Sequence, residues 1–98
     1  MSPPDVVSLL AGLGDRPSEV ATALEQMGHR GVCRSTSACV LVRYLEAHGL
    51  RDAFLCPMQG LRWAGGWLDH SSLGQTICQF AVQFDDGCYP DLIERGAA

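Results

Sequence analysis

The chain has 98 residues, 47% of them hydrophobic and 18% charged, and a net charge of −4. That length fits one domain. All seven basic residues are arginines scattered along the chain, so the clustered positive charge that displaces counterions from a nucleic acid is missing. No apolar run approaches the length of a membrane span, and the first fifteen residues carry no basic leader, so neither a membrane partner nor secretion is expected. A domain this small buries roughly 60–65% of the surface of its unfolded chain. Its apolar fraction therefore predicts a homodimer, with another protein or a small ligand as a further partner. The five cysteines are expected to be free thiols of a cytoplasmic protein, and their odd number rules out a complete set of internal bridges.

The first predicted helix opens at Ser2 with prolines in its first turn. Val6, Leu9, Leu10 and Leu13 recur at helical spacing, and Gly12 and Gly14 stop it. The second has Asp15 or Ser18 as its cap, Glu19 at its positive end, and a face of Val20, Ala23, Leu24 and Met27. A loop, "HRGVCRST", follows. The third helix is predicted over 37–48. Ala38, Val40, Leu41, Val42, Tyr44 and Leu45 cover most of its circumference, which places it centrally, while Cys39, Arg43, Glu46 and Ala47 form the remaining strip.

Beyond Gly49 the pattern shortens. A hairpin is predicted over 53–56 and 61–64, with a third short strand at 67–68, and both tryptophans are expected to cover it against the helices. The last helix is capped by Ser71 or Ser72 and stopped by Gly87. Leu73, Ile77, Phe80, Ala81 and Phe84 form its apolar stripe, expected to face the third helix and the tryptophan-bearing strands, and Gln75, Gln79 and Gln83 form its polar row. A turn, an apolar anchor at Leu92 and Ile93, and a frayed end complete the chain. The fold class is α+β: helices, then a small antiparallel hairpin or three-stranded sheet, then a C-terminal amphipathic helix.

Three groups of residues could carry chemistry. With a helix starting near Ser37, the Cys39 thiol lies in the first turn, where unpaired N–H groups and nearby Arg43 favour a thiolate. "CVLVRYLEAHGL" is loosely similar to the nucleophile helix of cysteine peptidases of the NlpC type. That similarity makes Cys39 the nucleophile, with His70 and adjacent Asp69 as base and orienting group. The Ser-Gly that follows the cysteine in that family is absent here, and the strands are too few for its barrel. Separately, His29, Cys33 and Cys39 surround one loop and could hold zinc with Cys56 or Cys88 as fourth ligand, although no paired C-x-x-C units occur. Finally, "LDHSSLGQTI" resembles the attachment loop of acyl carrier proteins, with Ser72 as the modified residue. Helix capping explains the same serines more simply. His48, in the last turn of its helix, suits the free carbonyls there, and adjacent Asp85 and Asp86 point apart, which argues against a joint acid–base role.

"CVLVRYL", followed by strands and then "FAVQFDDGCYPDLI", resembles small actinobacterial proteins of unknown function. Phe80, Phe84, Asp85, Gly87, Tyr89, Pro90 and Leu92 match a carboxy-terminal segment of that group, and Val40 stands where the group has a proline. The resemblance spans roughly two thirds of the chain and implies no activity. The sequence therefore reads as a cytoplasmic, non-catalytic interaction or small-ligand-binding accessory or regulatory protein that needs no cofactor. The alternatives are a thiol-dependent hydrolase or transferase using Cys39, His70 and Asp69, and a zinc-stabilised regulatory domain using His29, Cys33 and Cys39.

Overall fold

The computed structural model describes residues 2–94 and has the α+β architecture expected: helices, a three-stranded antiparallel sheet and a C-terminal helix. Helix α1 is Pro3–Ala11. The backbone N–H and the hydroxyl of Ser2 both donate to the Asp5 carboxylate (3.3 and 2.7 Å), which holds that carboxyl below its ordinary value. Val6, Leu10 and Leu13 are buried. Helix α2 is Pro17–Gln26, and its cap differs from the one expected: Arg16 occupies the N-cap with no side-chain bond. Glu19 reaches back instead and accepts the Asp15 N–H at 2.9 Å. Val20 and Leu24 are fully buried, whereas Met27, expected in the core, is exposed.

Helix α3, Val40–Ala47, starts three residues later than the sequence predicts. Ser35 explains the delay, because its hydroxyl accepts the Ala38 N–H (3.1 Å) and holds the chain in turns. Cys39 is left extended as the N-cap, its sulfur accepting the Val42 N–H at 3.4 Å. Val40, Leu41, Val42, Tyr44 and Leu45 are all buried, so the helix is as central as its apolar arc implies. The loop before it passes so close that a Cβ on Gly31 would lie 2.1 Å from the Val40 nitrogen. Only glycine fits there.

Strands β1 (Phe54–Cys56), β2 (Gly60–Trp63) and β3 (Gly66–Asp69) pair antiparallel in that order. Phe54 lies opposite Arg62 and Arg62 opposite Trp67; Leu55, Leu61 and Leu68 form the next row. Successive side chains alternate between faces. Leu55, Leu61 and Trp63 therefore face the core, and Phe54, Arg62 and Trp67 face outward. Only Trp63 covers the sheet from within; the same role expected of Trp67 is corrected by its 66% exposure.

The helix expected from Ser71 or Ser72 onward is broken in two. Asp69, not a serine, is the cap: its carboxylate accepts the Ser72 N–H at 2.8 Å and starts one turn, α4, His70–Leu73. Gly74, with φ of 90°, ends that turn, and α5 runs Gln75–Asp85. Ile77, Phe80, Ala81 and Phe84 are buried as one stripe. Helix α5 lies mainly along α2, a pairing the sequence did not suggest, and Phe80, Ala81 and Phe84 share a small hollow with Val40 and Leu41 at the start of α3. After Gly87 the chain folds back. The Tyr89 ring stacks on Phe80 (5.1 Å), its hydroxyl donates to the Gln83 side chain, and the 3₁₀ turn Pro90–Leu92 buries Leu92. Ile93 then pairs with Gly31 in a parallel bridge, fastened by Gly31 N–H to Leu92 O (2.8 Å) and Glu94 N–H to Gly31 O (2.7 Å). The expected frayed end lies outside the described residues. No helix among the described residues is long and apolar enough to cross a membrane.

Candidate binding face

Of the groups proposed for thiol chemistry, Cys39 lies apart from His70 and Asp69. Cys39 is 6% exposed, and burial pushes its thiol up to about 11. Desolvation disfavours the thiolate and outweighs the backbone hydrogen bonds that would lower the value. The small hollow beside it is walled by Val40, Leu41, Leu55, Pro57, Phe80 and Phe84, with Asp85 at its margin; neither His70 nor Asp69 lines it. Arg43 is turned to Glu94, with 2.9 Å between guanidinium and carboxylate. His70 is exposed at the junction of β3 and α4, where its backbone carbonyl accepts the Cys78 thiol (3.2 Å), and Asp69 is occupied as a helix cap.

The three residues of the zinc alternative lie against different neighbours. His29 packs edge-on to the Tyr44 ring at 5.6 Å, the Cys33 thiol donates to Phe84 O at 2.9 Å, and Cys39 is interior. Among the described residues no group of three or more His, Cys, Asp or Glu is placed to hold a metal ion. Loop proximity in sequence did not become convergence, because each side chain is drawn to a different neighbour. All five cysteines are free. The carrier-protein resemblance also fails on architecture, since Ser72 sits in a single turn directly after a three-stranded sheet rather than in a helical bundle. His48 caps the end of α3, exposed and edge-on to Tyr44 at 4.7 Å.

The unusual surface is the outer face of the sheet. An antiparallel sheet with one face on the core ordinarily turns polar side chains to water. Here the central outward row is Phe54, Arg62 and Trp67, one residue from each strand, with Phe54 49% and Trp67 66% exposed. Strand spacing of about 4.8 Å puts the backbones bearing the two rings roughly 10 Å apart, with the arginine between them. Cys56 and Gly60 occupy the neighbouring outward positions. A Cβ on Gly60 would meet Leu68 O at 2.1 Å, so the floor there is bare backbone. The result is an open hollow of about 610 Å³, bordered also by Thr36, Asp52 and Gln59. Arg62 makes no hydrogen bond or ion pair with any of the described residues. Beside the hollow, in the turn between β1 and β2, Met58 is 83% exposed. The sequence reading located these strands but, apart from Cys56 as a possible fourth zinc ligand, assigned none of these residues to a site. The signal lay in the register, which sets Phe54 and Trp67 on one face.

No protein-family model matches the chain, and neither a curated protein nor a solved structure is significantly similar to it.

Proposed function

We propose that the protein is a cytoplasmic, non-catalytic interaction or small-ligand-binding accessory protein, and that the outer sheet face is its binding surface. The observation that carries this reading is the exposed row of Phe54, Arg62 and Trp67. Two large aromatic rings and a guanidinium that pairs with none of the described residues, on one side of a three-stranded sheet, leave apolar area and a cation in water. Nothing in the packing of the fold needs them there, because the inner face supplies Leu55, Leu61 and Trp63 to the core. Aromatic residues and arginine are also the side chains enriched where proteins recognise partners. The burial of Cys39, which pushes its thiol up, supports binding over thiol catalysis.

Native mass spectrometry of the untagged protein tests the reading, with a Phe54→Ser/Trp67→Ser double variant as its control. The wild type should carry a bound species, whether a small molecule, another protein or a second copy, and the double variant should lose it while keeping its circular dichroism spectrum. Identical mass distributions for the two proteins would refute the assignment of the binding surface.

A further inference from the structure

We infer that the outer sheet face is a recognition slot for a small aromatic carboxylate, with Arg62 holding the anionic group and the Trp67 and Phe54 rings flanking the planar ring. The inference rests on the reading of this face as a binding surface and specifies its ligand.

Size comes first. The three strands make a patch of roughly 14 by 13 Å, from strand spacing and rise. That is about a quarter of the ~800 Å² that each partner buries in a stable protein–protein interface. A hollow of about 610 Å³ falls instead in the range of small-molecule sites. Charge is the second consideration. Arg62 has no partner among the described residues, and a guanidinium presents paired donors that match a carboxylate. Asp52 at the border carries opposite charge, so the hollow suits one anionic group and not a polyanion. The net charge of −4 acts in the same direction. Shape is the third. The two rings rise from the outer strands on either side of Arg62, so a planar group whose carboxylate meets Arg62 has an aromatic surface beside it. Gly60 adds no side chain to the lining beside the arginine, and the half-buried Cys56 thiol lines the same hollow.

Amide and indole correlation spectra test this, because Trp67 is 66% exposed in the hollow, whereas the fully buried Val20 and Leu24 on α2 lie outside its lining and their amides report on the fold. The probes are 2-naphthoate, its neutral analogue 2-naphthamide, and cyclohexanecarboxylate, which has the anion without the aromatic ring. 2-Naphthoate should shift the Trp67 indole signal saturably, leave the Val20 and Leu24 amide signals in place, and slow alkylation of Cys56. Losing a charge-assisted hydrogen bond should weaken binding about tenfold, both for 2-naphthamide and for 2-naphthoate with the Arg62→Gln variant. Cyclohexanecarboxylate and the Trp67→Leu variant should show a comparable loss. Equal binding of 2-naphthoate and 2-naphthamide, unchanged binding by Arg62→Gln, or no saturable shift below about 10 mM would each overturn the ligand assignment. If the native mass spectrum still shows a species that depends on Phe54 and Trp67, the ligand class alone is wrong; if that species is absent too, the face is not the binding surface.

Discussion

Arg43 and Glu94 meet at 2.9 Å, joining the centre of α3 to the last described residue of the chain. The same tail residues bridge to Gly31, and the Arg30 guanidinium donates to Asp91 O at 2.8 Å. The tail is therefore a third layer of attachments on the α3 flank, part backbone, part apolar and part ionic.

The ionic part is the weakest, since both side chains are well solvated and exposed pairs contribute little. Glu94→Gln should leave the melting temperature at pH 7 nearly unchanged, whereas Leu92→Ala, which empties a buried site, should cost about 2–5 kcal/mol. The pH dependence has a definite sign. Arg43 holds the Glu94 carboxyl below its ordinary value, so the pair's contribution is present above the ordinary carboxylate range and disappears as pH falls through the lowered value. Thermal melts of wild type and Glu94→Gln should differ slightly at neutral pH and converge in acid. A difference that grows in acid would contradict the pairing.

Gly31→Ala should be among the most damaging single substitutions. Its methyl group would collide with backbone at 2.1 Å, and backbone cannot swing aside as a side-chain tip can. Gly12→Ala offers the contrast, because its Cβ would meet nothing closer than 3.4 Å and its backbone is already helical. That variant should be neutral or more stable by about 0.4–1 kcal/mol. Urea unfolding of both variants decides the matter.

Cys39 should be the slowest thiol to alkylate in the native protein and exposed Cys88 the fastest, since the thiolate is the reacting form. Timed iodoacetamide labelling read by peptide mass spectrometry checks the order. Because burial raises the Cys39 value from 9.0 to about 11, its contribution to stability is complete below pH 9 and is lost as pH rises towards 11. Cys39→Ala should flatten that alkaline loss. Rapid native labelling of Cys39, abolished by His70→Ala, would restore the enzyme reading.

The two tryptophans should respond oppositely to truncation. Trp63→Ala removes a core side chain and should cost about 3–5 kcal/mol, comparable to Phe84→Ala and enough to unfold most of a domain this small. Trp67→Ser should leave the fold intact and raise solubility, because it removes exposed apolar area. Gln79→Ala, on the exposed side of α5, should be neutral. Chemical denaturation followed by far-ultraviolet circular dichroism ranks all four.

The apolar stripes of α1, α3 and α5 were legible because their period is local: Val6 and Leu10, Tyr44 and Leu45, Phe80 and Phe84 all lie where their spacing puts them. Capping was less legible. Asp69 and Ser72 compete for one helix start, and the chain's direction out of β3 decides for Asp69. The binding face was the least legible. Matching the ends of the strands expected from sequence pairs Leu55 with Arg62, one residue out of the observed register of Phe54 with Arg62. A slip of one exchanges the two faces of a strand, so the aromatic row stays hidden until the turn 57–59 fixes the pairing. Cys39 misled for a related reason. Three residues of delay in α3 turned a first-turn thiol into a buried cap.

The bridge between Gly31 and Ile93 also bears on synthesis. Its flanking hydrogen bond, from Arg30 to Asp91, spans 61 positions of sequence. A chain leaving the ribosome amino-end first can form α1, α2 and α3 early, from local contacts. Until residues 90–94 clear the exit tunnel, the groove beside Gly31 stays open and Leu92 has not yet filled its site. During that interval the nascent domain exposes apolar surface that the completed fold covers.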